Sequence, residues 1–585
     1  LKQLLLLIVF TLIAVLISNA QPYNLSFEKN YGGSFYDWPA GFVILEDSSM
    51  VIAAQTNSND YDVSSEPEQT DYWIYKIDKN GELLWDYTYG GESSDIPKDM
   101  VQTSDGGFVI AGYTVSEGGD ISINYGFSDM WVIKVDSNGL LEWELSVGGS
   151  YDDAIIDIGI NNENEIYFAG LSTSDDGLIG THFGVADYVD IVFGKISQEG
   201  ELLFIKVLGT ENDDESFSVM QNVDGNYLLT GYTKSPELPS WDGYIIELSE
   251  AGELVWVKLY GGSDYDLIYS IAEIGENEYY FSGYTYSDDG DISGNHSAPL
   301  WQDMWVGKID SIGNLLWSKC YGGTSGDEGQ QLLPINDSSF IVSGFTASPN
   351  NGDVFGNHYS AKPVDIWIVE MDTAGIIKWS NCFGGYNNEN FYNIQQLGNG
   401  YVVQGVCRST DGDIASHYGD SEYPDVWIFK LDKECDQMLV YPDQDDDTYG
   451  DSDNYSYSCT LNDGFVLVGG DCDDNNPFIN PGATEILNGI DDDCNQIADD
   501  GLEIIETELI GLSVFPNPAT NELTIQFENI NTPLLTIYNI NGDLIFQQNK
   551  IQTPFNFDAS ELSAGLYLIY LYAGNLYTTT VFVKD

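Results

Sequence analysis

From residue 22 to residue 434 the apolar positions come in short alternating runs, each cut off by Gly, Asn or Asp. Nowhere in this region do they recur at the 3.6-residue spacing of an amphipathic helix over a helical length. Residues 95–146 show one unit. Asp95 to Gln102 reads as a strand, Ser104-Asp105-Gly106-Gly107 as a turn, and Phe108 to Tyr113 as a second strand. A longer loop leads to a third strand, Met130 to Val135; the turn Asp136-Ser137-Asn138-Gly139 then leads to a fourth, Leu140 to Ser146. Aromatic and β-branched runs between such turns are what a pleated, half-buried sheet requires.

The unit recurs seven times, opening at Gly32, Gly90, Gly148, Gly209, Gly261, Gly322 and Gly384. Copies lie about 60 residues apart, too long for helical solenoid repeats of roughly 34–47 residues. Four strands repeated seven times predict an all-β chain with a seven-bladed β-propeller over residues 21–434. The phase predicts how the ring closes. The region begins with an orphan fourth strand, Leu25 to Tyr31, and ends on a third strand, Val426 to Leu431, that lacks its own fourth. Pairing the two removes an exposed sheet edge.

An Asp precedes each third strand, at Asp71, Asp129, Asp190, Asp242, Asp303, Asp365 and Asp425. Seven copies mark a turn ligand and blade packing rather than a catalytic group. All four histidines, His182, His296, His358 and His417, fall between second and third strands, where a loop brace is expected.

Composition adds location. The 585 residues carry 94 acids against 19 bases, a net charge of −75. That balance excludes nucleic acid as a partner, because phosphate binding needs Lys and Arg. Such a charge repels itself and calls for screening by salty surroundings. Residues 1–20 read as a signal peptide: Lys2, an apolar run from Leu4 to Ile17, then Ser18-Asn19-Ala20. No other stretch approaches membrane-spanning length, so no transmembrane helix is expected in the mature chain. Of seven cysteines, Cys320 and Cys382 hold one repeat position and are expected as buried apolar side chains. Cys435, Cys459, Cys472 and Cys494 lie in or beside one acidic segment and are candidates for disulfides.

That segment, residues 435–502, is expected to be a small metal-binding module. Between 441 and 501 it holds sixteen Asp and Glu and no Lys, Arg, His or Met. Asp443-x-Asp445-x-Asp447 sets alternate carboxylates to converge on one cation, with the Tyr449 carbonyl and Asp451 next in order. Asp471, Asp473 and Asp474 form a second cluster, followed by Glu485, Asp491 and Asp493. Oxygen-only ligands favour a hard ion, calcium first. These phrases resemble the Asp-rich metal-binding motif of exported bacterial proteins. Asp446 and Thr448 stand where that family has turn glycines. Leu487 stands where it has a cysteine, which leaves Cys494 to another partner, with Cys435 the candidate.

After an expected linker at 503–511, alternation returns: Leu523, Ile525 and Phe527 point one way, Thr524 and Gln526 the other. Regular turns, among them Asn541-Gly542, predict a small Ig-like β-sandwich over 512–585. Val514-Phe515-Pro516-Asn517-Pro518-Ala519 and Leu562-Ser563-Ala564-Gly565-Leu566-Tyr567 resemble the C-terminal sorting domain of type IX secretion substrates from Bacteroidetes. The resemblance implies passage across the outer membrane by the type IX machinery, with release or attachment at the surface. The propeller repeats are likewise similar to repeats of exported Bacteroidetes proteins.

No nucleophile triad, phosphate loop or zinc motif appears, and no catalytic residue is singled out. The expected function is a secreted or cell-surface binding and adhesion protein, contacting polysaccharide or protein through the propeller. The alternative is a secreted propeller enzyme acting on polysaccharide. A quinone-dependent dehydrogenase stands further off: the Asp-x-x-Gly-x-Leu-x-Trp hairpin resembles the docking repeats of such enzymes, which typically have eight blades.

Overall fold

The computed structural model describes residues 23–585 apart from 66, 68, 185–187, 235–239, 276–277, 298, 359–362, 434–437, 459–460, 462–463, 500–510, 529–530, 532 and 574–575. The expected signal peptide, most of the linker, Cys435 and Cys459 lie outside the described residues. The chain divides into two compact units, residues 1–434 and 435–585.

The first unit holds seven four-stranded antiparallel sheets, the blades of a propeller. In blade one the strands are Asp37–Ile44, Met50–Thr56, Asp71–Ile77 and Leu83–Tyr89, paired in sequence order. Closure follows the expected phase. Tyr23–Tyr31 pairs antiparallel with Asp425–Lys433, from Tyr23 opposite Lys433 to Tyr31 opposite Val426, and completes blade seven. Between blades the third-strand aromatic does the packing. Trp131 of blade two, fully buried, lies against Val51, Tyr72 and Ile74 of blade one. Its ring centre is 4.6 Å from that of Tyr72, whose hydroxyl donates to the Trp131 carbonyl at 3.0 Å.

An acid at the head of each first strand ties one blade to the last. The Asp95 N–H donates to the Thr70 carbonyl of blade one at 2.6 Å, and the Asp153 N–H to Ser128 at 2.8 Å. The same bond closes the ring, from the Asp37 N–H to the Pro424 carbonyl of blade seven at 3.0 Å. The Asp95 carboxylate accepts from the Gly91 N–H at 2.8 Å, from Ser116 at 2.9 Å and from Thr114. In blade seven Cys407 takes the place of that Thr, and the acid is longer by one methylene. Glu389 reaches past it to the Arg408 and Ser409 N–H groups, at 3.2 and 3.0 Å. The third-strand Asp faces the same joint and clasps the preceding loop: Asp190 accepts from Phe183 N–H at 2.6 Å and Asp425 from Tyr418 N–H at 2.6 Å. The repeat must open on glycine because both acids crowd it. A Cβ on Gly148 would lie 1.9 Å from Asp129 Oδ1 and 2.9 Å from Asp153 Oδ2.

In the second unit a three-stranded sheet (Leu512–Phe515, Glu522–Phe527, Phe555–Asp558) shares one core with a four-stranded sheet built on Leu534–Asn539 and Gly565–Ala573. Leu523, Ile525 and Phe527 point into that core, as the alternation predicts. Ahead of it sits the acidic segment, held by short strands: Met438–Pro442 pairs with Ser456–Ser458 and Phe465–Val466. No helix among the described residues is long and apolar enough to cross a membrane.

Deleting residues 23–32 is expected to strip the edge of Asp425–Lys433 and lower the melting temperature by more than about 10 °C, with aggregation on heating. An unchanged melting curve of the truncated chain would contradict the closure. The joint acids give a second expectation. Burial holds Asp37, Asp327 and Glu389 up at about 7, and Asp153 and Asp266 at about 6. Folded values above the unfolded range of about 4 mean the native state binds more protons between those limits. These groups destabilise the fold fully above pH 7 and cease to do so below about pH 4. Melting temperature should therefore rise by several degrees from pH 8 to pH 5. The rise should persist in 1 M salt, where repulsion between surface charges is screened. A flat profile in high salt would show that the joints do not contribute.

Candidate functional site

The Asp-rich segment gathers two carboxylate groups. In the first, Asp443, Asp445 and Asp447 bring oxygens within 4.8 Å of one another. The loop curls because Asp443 accepts from the Asp447 and Thr448 N–H groups, at 3.2 and 3.1 Å. Asp446 and Thr448, standing where the resembled family has glycine, take φ of 63° and 80°. The turn thus forms with two side chains in the left-handed region, a strained state for a β-branched residue. Asp471 and Asp474 belong to the same group. The Asp474 carboxylate accepts from the Gln444 N–H at 3.1 Å. Burial, then Asp447, Asp445 and Asp474, push the Asp471 carboxyl up to about 6. Burial and then Asp447 also raise Asp445, and neither of its oxygens, nor Asp471 Oδ2, has a hydrogen-bond partner. Buried acceptors left bare beside like charges fit a cation site, and oxygen donors fit a hard ion.

The second group, Glu485, Asp491 and Asp493, is as compact but differently engaged. Glu485 accepts from the Asp492, Asp493 and Asp499 N–H groups at 2.7, 2.9 and 2.6 Å. Asp491 accepts from Asn495 and Gln496 N–H at 3.0 and 2.7 Å, and Asp493 from Asn495. These carboxylates serve the backbone of their own loop. Asp473 is exposed, the Asp451 carboxylate accepts from the Asn454 amide, and the Tyr449 hydroxyl lies against Gly482. Cys472 and Cys494 form a disulfide with Cα atoms 5.7 Å apart, which corrects the expected pairing of Cys494 with Cys435. The missing family cysteine does not orphan Cys494, because the turn at 491–494 folds back beside Cys472. Cys320, Cys382 and Cys407 are free and buried.

The propeller offers a second candidate, a cavity of about 540 Å³ lined by residues of all seven first strands. Each of these strands carries a register shift at its centre, between Pro97 and Asp99 in blade two and between Ile268 and Ser270 in blade five. The bulged residues are of six kinds over seven blades, Ala40, Lys98, Ile156, Phe217, Tyr269, Gln330 and Tyr392, all on the cavity wall. The next residue bridges onward. Asp99 accepts from Ile158 N–H at 3.2 Å, Asp157 from Val219 N–H at 2.7 Å, and Gln331 from Ile394 N–H at 2.8 Å. Burial and the adjacent Asp157 carboxylate raise Asp99 well above the carboxylate range. Sequence reading passed over these positions for the loops. The columns on either side vary as well, so it is the register shift in the strand that marks these positions. The histidines are braces, as expected: His296 and His358 meet Asp303 and Asp365 at 2.7 and 2.9 Å through Nδ1, and His182 lies 3.5 Å from Asp190.

Comparison with known proteins agrees with the C-terminal reading. Residues 513–585 match the family model of the secretion system C-terminal sorting domain, and residues 471–500 that described as "Putative metal-binding motif". Over 397 residues the chain is 22% identical to the regulatory protein FlaEY of Caulobacter vibrioides, covering 58% of this chain and 39% of that protein. It thus spans about two fifths of the length of that relative. Among solved structures it is similar to the WD40 domain of Neurospora crassa Pan2, with 10% identity, TM-score 0.34, and 69% and 97% of the two chains covered. It is also similar to the β-propeller domain of the Trilobed protease from Pyrococcus furiosus, with 9% identity, TM-score 0.35, and 69% and 95% covered. The strand order, rather than these loose likenesses, establishes the propeller. The chain is an exported β-propeller protein carrying a type IX C-terminal sorting domain.

Proposed function

We propose that this protein is a surface binding and adhesion module. The propeller contacts polysaccharide or protein, residues 435–502 hold calcium, and residues 512–585 are the address read by the secretion machinery. The observation that carries the binding reading is the cavity to which seven similar blades contribute side chains of six kinds, from Ala40 and Lys98 to Phe217 and Tyr269. Where a repeat is kept for folding, its columns converge; where a surface recognises a ligand, they diverge. Calcium fits the first carboxylate group because its bare acceptors are all oxygen and no softer ligand stands among them.

Cells expressing the full chain should display it on their surface and adhere to polysaccharide-coated plates, and removing residues 513–585 should abolish both. Display without adhesion to any polysaccharide or surface-protein coat would refute the binding role. For the metal, calorimetry on the full chain should show calcium bound with a dissociation constant of about 0.1–1 mM. Asp445→Asn should weaken it at least about tenfold, while Glu485→Gln should lower stability and leave binding in place. The opposite pattern would move the site to the second group.

A further inference from the structure

On one side of the cavity the wall is aromatic and continues to the rim. Phe217 of blade four and Tyr269 of blade five both line it, ring centres 4.7 Å apart. From Tyr269 the rings run outward through Tyr284 at 5.7 Å to Tyr286 at 6.0 Å. From Phe217 they run through Tyr232 at 5.9 Å and Trp241 at 4.8 Å to Tyr265 at 5.0 Å. The two arms meet where Tyr265 and Tyr286 lie 6.2 Å apart. Fewer residues separate the second and third strands of blade four, Thr233 to Asp242, than those of blade five, Thr285 to Asp303. Trp241 is half-buried and Tyr265 46% exposed.

Acids and amides edge these rings. Glu215 accepts from the Tyr232 hydroxyl at 2.5 Å, and Glu328 of blade six from the Gln302 amide at 2.8 Å. Among the described residues no Lys or Arg lies over any of the seven rings; the cavity's Lys98 stacks on Tyr113 and Arg408 on Trp38, in other blades. Burial holds Glu328 up at about 7, which leaves a mixed donor and acceptor rather than a fixed charge.

We propose that this blade-four and blade-five mouth of the channel binds a neutral polysaccharide, its sugar rings stacked on Trp241, Tyr265 and Tyr269 and its hydroxyls bonded to Glu215, Glu328 and Gln302. The proposal rests on the binding role above and names its site and ligand class. Rings strung from cavity to rim suit an extended chain of apolar sugar faces, which a closed cage around one cation would not. The acids Glu215 and Glu328 beside the rings outnumber the one exposed base near them, Lys234, which disfavours an anionic polysaccharide.

Affinity electrophoresis of the full chain tests this, in gels containing laminarin, xylan or dextran as neutral probes, alginate as an anionic one and polylysine as a cationic one. Retardation in at least one neutral gel is expected, reduced at least about tenfold by Trp241→Ala and by Tyr265→Ala. Trp241→Phe should keep it, as should Phe127→Ala at an exposed aromatic pair on another part of the propeller. Melting curves confirm that each variant is folded. Neutral-gel retardation that survives both alanine variants overturns this site and leaves the binding role standing. Retardation only by alginate or polylysine overturns the neutral class. No retardation by any probe overturns the site together with its polysaccharide ligand, and the adhesion assay on protein coats then decides the binding role separately.

Discussion

The ring depends on one acid placed at the head of each inner strand. Its backbone N–H reaches the previous blade, as in the Asp153 bond to Ser128, while its carboxylate takes the Gly149 N–H at 2.7 Å and the Ser174 hydroxyl at 2.9 Å. Interblade distance, linker path and hairpin position are thereby set by a single side chain. Burying a carboxylate is costly unless its lone pairs are filled, and here three donors converge on it. The glycine that opens each copy follows from the same demand, because the linker must pass within van der Waals contact of two acids. Blade seven shows that the geometry is kept even when its chemistry changes, since losing the hydroxyl at Cys407 is matched by the longer Glu389.

With the frame fixed at that point, the middle of each inner strand is free to vary. The bulge after it turns one residue toward the channel without disturbing the ladder on either side. Blades two and three turn Lys98 and Ile156 toward it, and blades four and five Phe217 and Tyr269. A rigid scaffold with variable inward positions separates folding from recognition, so that substitutions in the channel do not test the joints.

Strand order, ring closure and the sorting domain were legible in the chain because each rests on period, phase or a contiguous phrase. Tyr23–Tyr31 follows from counting strands, and the inward set Leu523, Ile525 and Phe527 follows from alternation alone. The joint acids were harder to see. Asp95 and Asp153 look like strand-opening polar residues, and only their partners some twenty residues onward, Ser116 and Ser174, reveal a hub. The disulfide was misread because Leu487 suggested a lost partner, whereas pairing depends on which loops meet. The mouth on blades four and five escaped notice because its rings come from distant positions, Phe217, Trp241, Tyr265 and Tyr284, brought together by stacking two blades.

The large negative charge takes on a different sense once the acids are located. Part of it is internal, in the joints, the Asp99–Asp157 pair and the Asp-rich segment, where carboxylates act as hydrogen-bond acceptors. The two groups in that segment show how alike composition diverges in role. Glu485, Asp491 and Asp493 are filled by neighbouring N–H groups and hold a loop in shape without help. Asp445 and Asp471 are buried with acceptors bare, and like charges crowd them, so the first loop is held against its own repulsion. A divalent cation entering that group removes repulsion and fills the acceptors at once. On the calcium reading proposed above, the ion would also steady the loop that holds Thr448 in the left-handed region.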